Sequence, residues 1–203
     1  MSIGQLSFVV AFSVIPMVVG GAACNQHETE DVSPSLATST NLRATTFRSD
    51  LWFLPDEDLL GFVEIPAGAF IMGSDPRVDP QAFENERWAP DQTQGTVELP
   101  SFYISRFEVT VGQFLAFVDA TGHSATRDTF EKPLDHPVAS ISWPDALAYC
   151  RWLEKTLKDW PDTPVLLRRL LQEGWNVTLP TEAQWEKAAR STDGRIYPWG
   201  NQP

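Results

Sequence analysis

Hydrophobic periodicity begins only at Gly61, and from there it passes from strand-like alternation to helical spacing. Phe62-Val63-Glu64-Ile65 and Phe70-Ile71-Met72 flank the turn Pro66-Ala67-Gly68 and read as short strands. Residues 73–95 are rich in Gly, Asp, Pro and Asn and read as a long irregular loop. Thr96-Val97-Glu98-Leu99 and Phe102-Tyr103-Ile104 read as further strands. Thr110 then opens a helix: Gln113 completes a capping box, Val111, Phe114, Leu115 and Val118 share a face, and Gly122 is a stop. A second helix starts near Ser142, with Pro144 and Asp145 in its first turn. Its apolar stripe is Ala146, Tyr149, Cys150, Leu153 and Leu157, while Arg151, Glu154, Lys155 and Lys158 face away. Val165 to Glu173, closed by Gly174, reads as a third helix. A fourth is capped by Thr181 and Gln184, with Trp185, Ala188 and Ala189 expected inward and Glu186 and Arg190 paired four apart. Short strands followed by segregated helices make the class α+β.

The first 60 residues are built differently. Met1 to Ala23 carries no charged residue, and Leu6 to Val19 is an apolar run shorter than the roughly 20 residues of a bilayer crossing. Small residues follow, Gly20-Gly21-Ala22-Ala23, and then Cys24. Residues 1–23 therefore read as a signal peptide. Gly-Ala-Ala-Cys is similar to the lipobox of bacterial lipoproteins, where the thiol is acylated, so Cys24 is the candidate lipidation site. No Lys or Arg precedes the apolar run and position 21 is Gly, so an ordinary cleaved signal or an uncleaved anchor stays open beside it. More than one acyl chain, at about 0.8 kcal/mol per buried methylene, would hold the protein firmly at a membrane. Residues 24–60 read as a flexible tether, Asn25 to about Asp50 being polar and without period, and Leu51-Trp52-Phe53-Leu54 as an apolar island able to dock on the domain. Against 27 acidic side chains stand 15 basic ones, and the net charge of −12 argues against nucleic acid as a partner. The expected location is the cell envelope. With Cys24 acylated, Cys150 has no partner for a disulfide, and the fold must rest on its core.

Residues 61–203 carry five blocks in order: Phe62-Val63-Glu64-Ile65-Pro66-Ala67-Gly68-Ala69-Phe70-Ile71-Met72-Gly73-Ser74, Phe102 to Thr110, Asp135 to Leu153 around Ser142-Trp143-Pro144-Asp145, Leu179-Pro180-Thr181-Glu182-Ala183-Gln184-Trp185-Glu186-Lys187-Ala188-Ala189-Arg190, and Tyr197-Pro198-Trp199-Gly200-Asn201. Together they resemble the sulfatase-modifying-factor, or formylglycine-generating-enzyme, family. The resemblance implies a variant of the C-type-lectin-like fold, truncated, and copper- and oxygen-dependent oxidation of a protein cysteine. Copper and calcium are implied for the complete family domain, and a sulfatase-type or other exported protein is implied as substrate. In the family the copper-binding cysteine pair and the calcium segments follow the Pro-Trp-Gly-Asn block. Pro203 comes directly after that block, so no catalytic, cofactor-binding or metal-binding position carries over, and residues 1–203 are expected to be inactive. Without the family's C-terminal strands the helices are expected to lack a facing layer and the chain to be partly molten. The alternative is a surface lipoprotein whose lectin-like domain binds or scaffolds without chemistry. The family's sulfoxide-synthase branch needs a histidine-rich helical domain that residues 25–60 do not supply.

Other polar groups read more simply. Cys150 lies on an apolar stripe and reads as a buried structural thiol. His123 and His136 lack a second ligand at metal spacing, and His27 reads as solvated. Asp75, Asp79, Glu84 and Glu86 read as a solvated acidic loop, since their spacing fits no calcium loop. Glu182 and Glu186 read as charges complementing a helix. Trp143, Trp152, Trp185 and Trp199 read as core or near-core.

Overall fold

The computed structural model describes residues 7–11, 47–48 and 50–202. The strands are β1 (Ser7–Ala11), β2 (Phe47–Arg48), β3 (Leu54–Pro55), β4 (Phe62–Ile65), β5 (Gly68–Met72), β6 (Gly95–Leu99), β7 (Phe102–Glu108) and β8 (Asn176–Thr178). The helices are α1 (Val111–Thr121), α2 (Trp143–Asp159), α3 (Val165–Gln172) and α4 (Glu182–Arg190). The largest sheet has the order β4-β7-β1-β8, and β2-β3 and β5-β6 are separate antiparallel pairs. The class is α+β.

Local chemistry sets the helix ends. Thr110 and Gln113 form the capping box of α1, and Gly122 closes it in the left-handed region at φ 69°. Ser142 and Asp145 form the same box on α2, with Pro144 inside the first turn, and Thr181 and Gln184 form it on α4. On α2 the buried residues are Ala146, Tyr149, Cys150, Leu153 and Leu157, the stripe its spacing predicts. This stripe meets α1, α3, β8 and the sheet in one core with Phe114, Phe117, Leu167, Leu171, Trp175 and Val177. The helices thus have a facing layer, which corrects the premise on which a partly molten chain was expected.

The folded body begins before Gly61. Leu51, Leu54 and Leu60 are buried in the same core. Trp52 meets Trp152 and Trp160 edge-on, with ring centroids 6.4 and 5.7 Å apart, and Gln113 Nε2 donates to Phe53 O at 3.1 Å. The island docks because large apolar side chains gain more from burial than their short segment loses on ordering.

No strand was expected in residues 1–23, yet Ser7–Ala11 lies between β7 and β8, parallel to both. Phe8 stands opposite Tyr103 and Val177, and Val9 opposite Ile104 and Thr178. The Val9 side chain is 0% exposed. Cys24, His27 and residues 12–46 lie outside the described residues.

Three of the four tryptophans expected in or near the core are on the surface: Trp143 is 69%, Trp185 56% and Trp199 72% exposed. Trp152 does pack against the core, beside Phe117 and Tyr149. On α4 the inward positions are Glu186, Lys187 and Arg190 rather than Trp185. Residues 183, 186, 187 and 190 form one helical stripe, and Glu186, Lys187 and Arg190 on it bond to polar backbone.

Candidate functional site

The densest polar group in the folded body is the inner face of α4. Lys187 is 4% exposed, and its Nζ donates to Pro66 O at 2.7 Å and Gly68 O at 2.8 Å. Glu186 Oε1 accepts from Gly73 N at 2.8 Å and pairs with Arg190, whose Nη1 donates to Gly73 O at 3.0 Å. Arg190 Nε donates to Arg195 O at 2.6 Å. One helix face thereby ties down both ends of β5 and the 194–195 loop. Gly73 sits at φ 93°, and a Cβ there would lie 2.4 Å from Thr93 O, so only glycine lets the chain come this close. Burial lowers the Lys187 pKa, with Glu98 acting the other way. All its partners here are backbone carbonyls, and the face is closed by the chain itself. Its chemistry is structural: a charged clamp on irregular backbone.

A second group surrounds the start of α2. Asp145 Oδ2 accepts from Ser142 N at 3.1 Å and from Ser142 Oγ at 2.5 Å, and Asp145 Oδ1 lies 2.8 Å from His123 Nε2. Serine, aspartate and histidine are together, but in the wrong order for nucleophilic catalysis. The hydroxyl donates to the carboxylate and not to the imidazole, so no base activates it. Bonds from Ser142 and then His123 hold the Asp145 carboxyl below its usual range. A depressed carboxylate stabilises the fold above the unfolded-state aspartate pKa, and that contribution fades as pH falls through the folded value. Asp145→Ala is therefore expected to cost about 1–2 kcal/mol at neutral pH through the lost cap, with the difference from wild type shrinking in acid. Urea unfolding of both proteins across the acid range checks this. Beside the group lies a cavity of about 220 Å³ lined by Phe114, Thr126, Thr129, Ser140, Ile141 and Asp145.

The remaining candidates are dispersed. Asp75 accepts from Arg77 Nη2 at 2.6 Å, Asp79 from Gln81 N at 3.0 Å, and Glu84 pairs with Arg87. Asp135 pairs with His136 at 3.0 Å on the surface. Asn176, first residue of an Asn-Val-Thr glycosylation pattern, starts β8. Cys150 is buried in the core, and burial pushes its thiol up to about 12. Among the described residues no group of three His, Cys, Asp or Glu side chains could hold a metal ion. The copper implied by the resemblance needs soft thiolate donors, and a protonated thiol facing apolar side chains is not one. Calcium needs converging oxygens, which the ion-paired carboxylates of 75–86 do not offer. The described residues therefore fit neither metal. In the native protein Cys150 is expected to resist alkylation at pH 8 and to react only after unfolding, as mass spectrometry of its peptide would read.

Sequence reasoning overlooked the role of Lys187. The available signal was its place on the 183-186-187-190 stripe, opposite Trp185.

The chain is 30% identical over 195 residues to a formylglycine-generating enzyme of Thermomonospora curvata, covering 73% of this chain and 55% of that protein. Against the formylglycine-generating enzyme of Bos taurus the identity is 28%, over 69% of this chain and 42% of the relative. A hercynine oxygenase of Mycolicibacterium smegmatis is 26% identical over 68% of this chain and 34% of its own length. The chain thus spans about half the length of the two formylglycine-generating enzymes. The family model for the sulfatase-modifying factor enzyme 1-like domain matches residues 54–203, which contain α1 to α4, the α4 clamp and the Ser142–Asp145 cap. With that match over most of its length, the chain belongs to the sulfatase-modifying-factor family.

Proposed function

We propose that residues 51–202 are the scaffold part of an exported, lipid-anchored protein of the formylglycine-generating type, with a C-type-lectin-like fold. Its oxidation of a protein cysteine, with copper and molecular oxygen, is carried by residues outside 1–203. The observation behind this reading is a family core whose one described thiol, Cys150, is buried and held protonated. That thiol cannot serve as a copper ligand without unfolding α2. A sulfatase-type exported protein is the proposed substrate.

Anchoring rests on the uncharged apolar leader and Cys24. No helix of the described residues is long and apolar enough to cross a membrane. Radioactive palmitate incorporated by the cellular protein and lost in Cys24→Ser would support the anchor, and equal labelling of both would oppose it.

The reading frame beyond residue 203 provides the test of function. The extended protein is expected to carry a cysteine pair and, loaded with Cu(I), to convert the cysteine of a sulfatase-type peptide to an aldehyde. An extended protein with neither the pair nor the product would favour the second reading, a surface lipoprotein that binds without chemistry. The exposed Trp143, Trp185 and Trp199 favour that second reading, since tryptophans on a surface are common at binding faces.

A further inference from the structure

The cavity beside the start of α2 is walled by one continuous stretch of chain, from Phe114 on α1 to Asp145 on α2. At about 220 Å³ it is smaller than pockets for drug-sized molecules, which run to about 300–1,000 Å³, so it selects an occupant of a few heavy atoms. Among the described residues lining it, Asp145 alone is charged. An ionised carboxylate offers about four acceptor positions. Ser142 N and Ser142 Oγ donate to Oδ2, and His123 Nε2 donates to Oδ1, which leaves acceptor capacity on Oδ1. The hydroxyls of the wall have their protons committed to one another. Thr129, 1% exposed, donates from Oγ1 to Ser140 O at 3.4 Å. Thr126 Oγ1 lies 3.2 Å from Thr129 Oγ1, and with the Thr129 proton engaged, Thr126 is the donor of that pair. Beyond these bonds both threonines present oxygen lone pairs. Phe114 adds an aromatic ring, whose face carries negative charge density. Carboxylate, hydroxyl oxygens and ring all attract a positively charged donor, and none attracts an anion.

We propose that this cavity is a binding site for a small organic cation carrying a primary ammonium group, seated with its N–H donors on Asp145 and the threonine hydroxyls. An ammonium has three donors and no acceptor, the complement of this lining. Bonds from Ser142 and His123 fix the carboxylate before the ligand arrives, so binding loses little side-chain freedom. Ser140 serves the same shape. It stands at φ 57°, a left-handed conformation uncommon for a residue other than glycine, with its carbonyl on Thr129.

Ethanolamine and ethylene glycol test the proposal, because they have the same number of heavy atoms and differ in the ammonium. Each is titrated into the purified chain in phosphate buffer at pH 7 and followed by amide chemical shifts. Ethanolamine is expected to give saturable shifts confined to residues 124–129 and 140–145, with a dissociation constant at least about 10-fold below that of ethylene glycol. Asp145→Asn keeps an oxygen for the Ser142 cap but removes the charge, and is expected to abolish that preference. Ala125→Leu fills the cavity without touching the cap, and is expected to lose the ethanolamine shifts while urea unfolding stays close to wild type. Should Asp145→Asn not fold, Ala125→Leu still decides. Equal affinity for the two probes in the wild type, no saturable shift at 124–129 and 140–145, or unchanged ethanolamine binding in Ala125→Leu would each overturn the proposal.

Discussion

Phe114→Ala is expected to lower the unfolding free energy by about 3–5 kcal/mol, enough to leave much of a marginally stable domain unfolded. Phe114 is 0% exposed and lies where α1, α2 and the 127–130 turn converge. Its ring is 5.3 Å from Phe117 in an edge arrangement, 6.0 Å from Tyr149 in a stack and 6.5 Å from Phe130. Truncation removes apolar area and leaves a void that these rings, fixed by their own neighbours, cannot fill. Phe114→Leu keeps most of the volume and should cost clearly less, about 1–2 kcal/mol. Urea unfolding followed by tryptophan fluorescence reads both. Equal losses for the two variants would mean that ring geometry, not volume, holds this part of the core.

Lys187→Met should cost about 2–4 kcal/mol, although the substitution is apolar and close in length. The methionine can follow the same path but leaves Pro66 O and Gly68 O without the donor that reaches them at 2.7 and 2.8 Å. Unsatisfied buried acceptors cost about 1–3 kcal/mol each, and relief of the ammonium's own desolvation offsets part of that. The pH dependence separates these two contributions. Burial holds the folded-state pKa of Lys187 below the unfolded value. Between those two values the unfolded chain binds the extra proton, so this residue makes stability rise with pH across the alkaline window that ends at the ordinary lysine pKa. Lys187→Met should lack that rise. A variant as stable as wild type at neutral pH would show that α4 is held by Glu186 and Arg190 alone.

What the sequence made legible was local. Capping boxes at Thr110 and Thr181, the stop at Gly122 and the five-residue stripe of α2 depend on neighbours within a turn or two, and each stands where the spacing places it. Contacts across the fold were harder to read. Tryptophan's size suggests the interior, yet Trp185 faces away because its helix docks on carbonyls through Lys187, more than 100 residues from Pro66. The strand at Ser7–Ala11 was hidden for a similar reason: an uncharged apolar run serves a leader and a central strand equally well. For the candidate site, the apolar stripe position of Cys150 already implied a buried thiol, and the thiol is buried. Nothing in the spacing showed that His123 would reach Asp145.

Copper binding by the reduced 203-residue chain, carrying Cys24→Ser so that only Cys150 remains, tests most directly whether this folded body has a reactive centre of its own. In competition with a chromogenic Cu(I) chelator, a scaffold with its one thiol buried leaves the metal on the chelator, and no near-ultraviolet thiolate–copper absorption develops until the protein is unfolded. Withdrawal of one equivalent of Cu(I) by the native protein, with that absorption, would contradict it.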